Sequence, residues 1–259
     1  GNRTGWLVVR LICARVRAPM AQTAPRILAF DTSAQLTALA VCVGEHVLVE
    51  EQVASEGKHA EVLLPKLQQA LDRAGLALSD VDVIGVGVGP GSFTGVRVGV
   101  ATAKGLGLAL QKPVIAVVSL IALAAEAASL SAAEWIAPCL DAYKGELFAA
   151  LYARRGGGLE LRVGPFHAAP AQVRERLAAE SGGAPLALIG PGVTRHAELL
   201  QGAPVSFQVL HGAAAPRASV VAKLALAAFE RGEIPELSHV APLYLRDSDA
   251  QLPKTPLRV

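Results

Sequence analysis

GVGVGPGSFTGVRVG, residues Gly85–Gly99, reads as a buried strand that turns through glycines straight into a helix. On its N-terminal side Val81–Val88 is apolar apart from Asp82, the pattern of a strand covered on both faces in the middle of a parallel sheet. Gly89, Gly91 and Gly95 remove side chains where backbone must turn tightly or lie close to something, and Pro90 fixes one φ. Ser92 and Thr94 can cap the helix that follows, and unpaired N–H groups at a helix start favour an anion. Two familiar phosphate loops are excluded. No Lys-Ser/Thr follows the last glycine, and the strands upstream are antiparallel, not a dinucleotide-fold opening. The stretch places the chain among α/β proteins on a scaffold of the nucleotide-binding kind.

Upstream, Ile27–Phe30, Thr37–Val43 and Val47–Val53 are apolar runs, the last two joined by the tight turn Gly44-Glu45-His46. They predict three consecutive antiparallel strands. Over His59–Ala74 the apolar positions Ala60, Leu63, Leu64, Leu67, Leu71 and Ala74 have helical spacing, and Gly75 follows as a C-terminal cap. Downstream come a helix over Thr94–Leu110 and a strand over Val114–Val118. Pro113–Ala125 is the longest apolar stretch, shorter than the ~20 residues a bilayer span needs. It is β-branched first and Leu/Ala-rich second, so it reads as strand then helix.

The second half repeats this order: strands over Ile136–Leu140, Leu147–Tyr152 and Leu159–Phe166, a helix over Ala171–Ala179, and a strand over Leu186–Ile189 ending in Gly190-Pro191-Gly192. A short helix over Arg195–Leu200, a strand over Val205–Val209 and a helix over Ala218–Arg231 follow. FDTSAQLTALAV (Phe30–Val41) and LDAYKGELFAAL (Leu140–Leu151) share a layout of strand, aspartate, polar turn and second strand. The repeat predicts an α/β fold of two stacked βββαβα lobes, the duplicated architecture of actin, sugar kinases and Hsp70. The lobes are expected over 26–118 and 119–235, with a tail over 236–259.

The chain has 259 residues, 52% of them apolar, a mean hydropathy of +0.42 and a net charge of +2, enough for a sizeable core. No basic block marks a nucleic-acid arm. Cys13, Cys42 and Cys139 lie far apart in apolar runs, which points to unpaired thiols in a reducing compartment. His59, His167, His196 and His211 are scattered without metal-ligand spacing, and no hydrolase elbow is present. Residues 1–25 differ from the rest: Arg3, Arg10, Arg15 and Arg17 with no acid, and an apolar patch, Trp6–Ile12, broken by Arg10. A start of translation at Met20, the sole methionine, is expected, with the preceding residues an extension outside the fold.

Asp31-Thr32-Ser33 ends the first strand, where open α/β folds place ligands. Asp31 there either holds a magnesium–phosphate group through water or caps its own hairpin. Asp141 has the same two readings, with Lys144 as a salt-bridge partner. Gly95, Gly99, Ala103 and Gly107 recur every four residues. Such a stripe lets another backbone approach, within the lobe or from a partner. A partner is favoured here, because each mid-helix glycine costs about 1 kcal/mol and needs a return.

The segments ILAFDTS, EGKHAEVLLPKLQQAL, IGVGVGPGSFTGVRVGVATAKGLGLAL and PVIAVVSL resemble the TsaB (YeaZ) family of tRNA threonylcarbamoyladenosine biosynthesis. The resemblance is dense from Ile27 to Leu120, thins to LDAYKGELFAALY and APLYLR (Ala241–Arg246), and leaves out residues 1–25. It implies the actin/Hsp70-like superfamily and a likeness to TsaD, the subunit that transfers threonylcarbamoyl to adenosine next to the anticodon. TsaD holds a metal with HxxxH just after the strand equivalent to Val114–Val118; here those positions carry Leu120 and Ala124, which cannot ligate. The resemblance therefore implies a cytoplasmic, non-catalytic subunit without metal or membrane. It would dimerise with TsaD, be joined by the ATPase TsaE, meet tRNA through the complex, and form a homodimer when alone. The family dimerises through its first-lobe helices. That points to His59, Leu63 and Leu67 on one helix and Gly95, Arg97, Gly99, Ala103 and Gly107 on the other. Asp31, Thr32, Ser33, Gly89, Gly91, Ser92 and Thr94 would line a reduced cleft for weakly held ATP or ADP with magnesium. A small ATPase or kinase of the same superfamily is the alternative; a glycoprotease-type metallopeptidase is disfavoured by the missing histidines.

Overall fold

A computed structural model describes residues 24–55, 57–196 and 206–246. The chain forms β1 (Arg26–Asp31), β2 (Leu36–Val43), β3 (His46–Ala54), α1 (His59–Ala74), β4 (Val83–Gly87), α2 (Phe93–Leu110), β5 (Val114–Val117) and α3 (Ser119–Leu130). It continues with β6 (Trp135–Asp141), β7 (Leu147–Arg155), β8 (Gly158–Ala168), α4 (Pro170–Ser181), β9 (Leu186–Ile189), α5 (Pro191–Arg195), β10 (Phe207–Leu210) and α6 (Ala218–Glu230). Two five-stranded sheets result, ordered β3-β2-β1-β4-β5 and β8-β7-β6-β9-β10. In each, the first three strands pair antiparallel and the rest parallel. The fold is the duplicated actin-like and Hsp70-like α/β architecture that the repeated layout predicts. α5 starts directly on Gly190, whose φ of +111° makes the turn, and the helix expected at Arg195–Leu200 lies, beyond His196, outside the described residues.

The central strands of the first sheet are buried on both faces, and β1 shows how. Leu28 and Phe30 point to the outer core with α1 and α2, while Ile27 and Ala29 point to the inner one. Alternation along a strand divides the two faces, and each large side chain so buried contributes about 2 kcal/mol. The inner faces are covered by exchanged helices. α6, which follows the second sheet in sequence, packs on β1, β2 and β4 of the first. α3, which follows the first sheet, packs on β6, β9 and β7 of the second, and the two helices touch. Small residues permit this: Ala29, Ala38 and Ala40 meet Ala218, Ala222 and Ala225 in one cluster. Glu50 on β3 fastens the start of α6 by accepting from the Ser219 N–H (3.0 Å) and pairing with Arg217. Arg154 closes the other helix. Its guanidinium donates to the carbonyls of Ala128 (2.8 Å), Ser131 (2.5 Å) and Ala133 (3.3 Å), satisfying the end of α3. Among the described residues no helix is long and apolar enough to cross a membrane. Cys42 and Cys139 are buried in the two lobes, and burial pushes their thiols up to about 11 and about 12.

Candidate functional site

The carboxyl ends of β1, β4 and β5 meet at one knot. Asp31 ends β1 with only 1% of its surface exposed. Its Oδ1 accepts from the Ser33 N–H (2.8 Å) and the Ser33 hydroxyl (2.5 Å), and its Oδ2 from the Ser119 hydroxyl (2.6 Å). Ser119, at the start of α3, also accepts from the Gly89 N–H (3.1 Å) and donates its own N–H to the Gly89 carbonyl (2.8 Å). Burial pushes the Asp31 carboxyl above its ordinary range, against the three hydrogen bonds, which pull it down. A side chain at Gly87 would collide with the Asp31 carboxylate, so glycine there makes room for it.

Of the two readings of Asp31, the capping one describes this geometry. Both of its oxygens are engaged by protein groups. The residues expected to line a nucleotide cleft are brought together and tied to one another. The Ser92 N–H donates to the Ser33 carbonyl (2.7 Å), and the Thr32 hydroxyl donates to the Gly95 carbonyl (2.7 Å). Ser92 is the N-cap of α2, its hydroxyl accepting from the Gly95 N–H (3.2 Å). Gly89 is buried, Gly91 and Ser92 are half-buried, and Thr94 is exposed. Ser119 carries no site motif in the sequence. Its only signal is its place, the first polar residue after the β5 run.

The small-residue stripe faces inward, which corrects the reading that favoured a partner. A methyl group at Gly95 would collide with the Thr32 carbonyl oxygen, one at Gly99 with the Thr32 hydroxyl, and one at Gly107 with Val114. Ala103 is wholly buried in the outer core. The glycines are needed so that α2 can lie directly on the end of β1. His59, Leu63 and Leu67 are corrected for the same reason: all three are buried under α1. Of the residues expected at a partner surface, Arg97 alone is exposed. The outward sides of α1 and α2, which touch each other, carry Leu64 (51% exposed) and Leu108 (73% exposed), with Ala101 and Gly105 also exposed.

His59 has a structural post. The Ser55 hydroxyl donates to the Gln35 carbonyl (2.8 Å), so it accepts from His59 Nε2–H (3.2 Å). His59 Nδ1 then accepts from the Thr37 hydroxyl (2.8 Å). Burial holds the imidazole below its ordinary value of 6.5. A depressed histidine takes up fewer protons folded than unfolded, so stability falls as pH drops through that ordinary value. Melting temperature is expected to fall between about pH 7 and about pH 5 in the wild type, and this part of the fall to be absent in His59→Gln.

In the second lobe Asp141 occupies the place that Asp31 has in the first. It accepts from the Tyr143 N–H (3.0 Å) and pairs with Arg195, which α5 brings over the strand end. Among the described residues no group of three or more His, Cys, Asp or Glu could hold a metal ion.

Comparison with known proteins agrees with this arrangement. The family model for TsaD, tRNA N6-adenosine threonylcarbamoyltransferase, matches residues 48–254. YeaZ from Pseudomonas aeruginosa is 33% identical, covering 85% of this chain and 100% of its own, with a TM-score of 0.70. The chain belongs to the YeaZ (TsaB) family. A second structure, an uncharacterized protein with similarity to peptidase YeaZ from Pseudomonas aeruginosa, is also 33% identical, covering 86% of this chain and 100% of its own, at a TM-score of 0.72. No curated protein matches. In this YeaZ-family chain Leu120 and Ala124, the positions where the resemblance puts the transferase's histidines, have no exposed surface and pack in the core between α3 and the second sheet.

Proposed function

We propose that this chain serves tRNA threonylcarbamoyl modification as a non-catalytic subunit that binds and activates a TsaD-family transferase. The observation that carries this is the buried, apolar pair Leu120 and Ala124. Where a transferase needs metal ligands, this chain has core, and no single exchange of a surface residue would restore them. With Asp31 sealed by Ser33 and Ser119, magnesium nucleotide has no part in the proposal. The partner surface is the outward side of α1 and α2, where Leu64 and Leu108 stand in water without any use within the lobe. The ATPase TsaE would join that pair, tRNA would be met through the complex, and the setting would be the cytoplasm.

The test is threonylcarbamoyl transfer and co-purification with a TsaD-family transferase from the same source. The chain alone is expected to give no transfer, and to raise transfer when the partner is added. Leu108→Glu should weaken association more than tenfold with melting temperature unchanged, since its side chain is 73% exposed. Transfer by the chain alone, or undiminished association of the variant, defeats the proposal.

A further inference from the structure

The family-like segment APLYLR has no part in the function proposed above, yet it touches both lobes. After α6 the chain makes a short turn at Leu237–His239 and returns across α2. Leu237 and Val240 join the outer core of the first lobe, and the Val240 carbonyl accepts from Lys104 (3.1 Å). The Leu243 N–H then donates to the Val88 carbonyl (2.7 Å), adding one residue to the end of β4 where the glycine turn begins. Tyr244 lies on Phe93 with ring centroids 5.1 Å apart, and its hydroxyl accepts from Arg97 Nε (2.7 Å). The Arg97 guanidinium also covers the Phe93 ring at 3.7 Å, so one cation clamps both aromatics. Leu245 leaves the first lobe and packs in the cluster between α3 and the second sheet. Arg246 donates to the Ala142 carbonyl (3.2 Å) and lies 3.7 Å from Glu146, both in the turn between β6 and β7.

Three residues of chain therefore join an anchor on the glycine turn of one lobe to an anchor on the β6–β7 turn of the other. Three residues span at most about 10 Å, so the two turns cannot separate far while both anchors hold. We propose that Val240–Arg246 is a latch that holds the two lobes closed over the Asp31 knot. Its first-lobe half is the Tyr244 clamp, and its second-lobe half is Arg246 with Leu245.

Hydrogen exchange of the full chain, read by mass spectrometry, tests this through transmission across the latch. Among the described residues, the ring and hydroxyl contacts of Tyr244 are with the first-lobe residues Phe93 and Arg97. Tyr244→Ala is nevertheless expected to speed exchange at least fivefold in the second-lobe turn Ala142–Leu147, as well as in Gly87–Thr94. Exchange in α4, remote from the strap, should stay as in the wild type and reports that the fold is intact. Arg246→Ala gives the reciprocal arm, with faster exchange at Leu243 expected. It also serves if Tyr244→Ala does not fold. An unchanged Ala142–Leu147 turn beside a loosened Gly87–Thr94 turn overturns the latch, as does an unchanged Leu243 amide in Arg246→Ala.

Discussion

Gly95→Ala is expected to destabilise the chain by about 2 kcal/mol or more, while Gly105→Ala in the same helix should stabilise it by about 0.5–1 kcal/mol. Helix propensity alone gives both changes the same favourable sign. What separates them is the space at each Cβ. A methyl group at Gly105 meets nothing within 4 Å, so the helical gain is kept. A methyl group at Gly95 meets the Thr32 carbonyl oxygen, a backbone atom held by the end of β1 that no rotamer change can move. Relief requires α2 to lift from β1, which breaks the bond from the Thr32 hydroxyl to the Gly95 carbonyl and disturbs that between Ser92 and Ser33. A buried hydrogen-bonding group left unpaired costs about 1–3 kcal/mol, more than the roughly 1 kcal/mol of propensity gained. Urea unfolding of the two variants beside the wild type measures the difference. Equal and favourable shifts would show that α2 has room at Gly95, and that the stripe is open to a partner after all.

The same contrast shows what could be read from sequence. Period and punctuation located the elements: the apolar positions of α1 end at Gly75, whose φ of +69° is the left-handed cap expected of it. The repeated strand–aspartate–turn–strand layout gave two lobes, and the two sheets share one strand order. Spacing does not tell which side of a helix meets its own chain. The glycine stripe of α2 would look the same facing Thr32 or facing a partner, and the choice between them is made by where β1 ends. The return of α6 to the first sheet was likewise hidden, because an Ala-rich helix fits either inner face. Asp31 was legible as a strand-end acid but not as a sealed one. Its seal depends on Ser119, 88 residues away in sequence.

Asp31→Ala is expected to lower stability by about 3 kcal/mol, and Asp31→Asn to stay within about 1 kcal/mol of the wild type near neutral pH. Alanine leaves the Ser33 N–H, the Ser33 hydroxyl and the Ser119 hydroxyl without their acceptor in a site with almost no water. Asparagine keeps Oδ1 for Ser33 and needs only a turn of the Ser119 hydroxyl. It also removes an anion that none of the side chains bonded to it neutralises. Since burial raises the Asp31 carboxyl, the folded chain holds its proton to a higher pH than the unfolded chain. The stability this contributes is fully present below the ordinary carboxylate range and is lost as pH rises through the raised value. The asparagine variant lacks that loss, so it should gain on the wild type as pH rises from about 4 toward 7, compared by urea unfolding. The opposite trend would mean that Ser33 and Ser119 hold Asp31 as a stabilised anion. A rise in wild-type melting temperature with magnesium ADP that vanishes in Asp31→Asn would restore Asp31 as a ligand for a metal–phosphate group. Either result separates an aspartate that holds its own strand end through Ser33 and Ser119 from one that also takes a ligand.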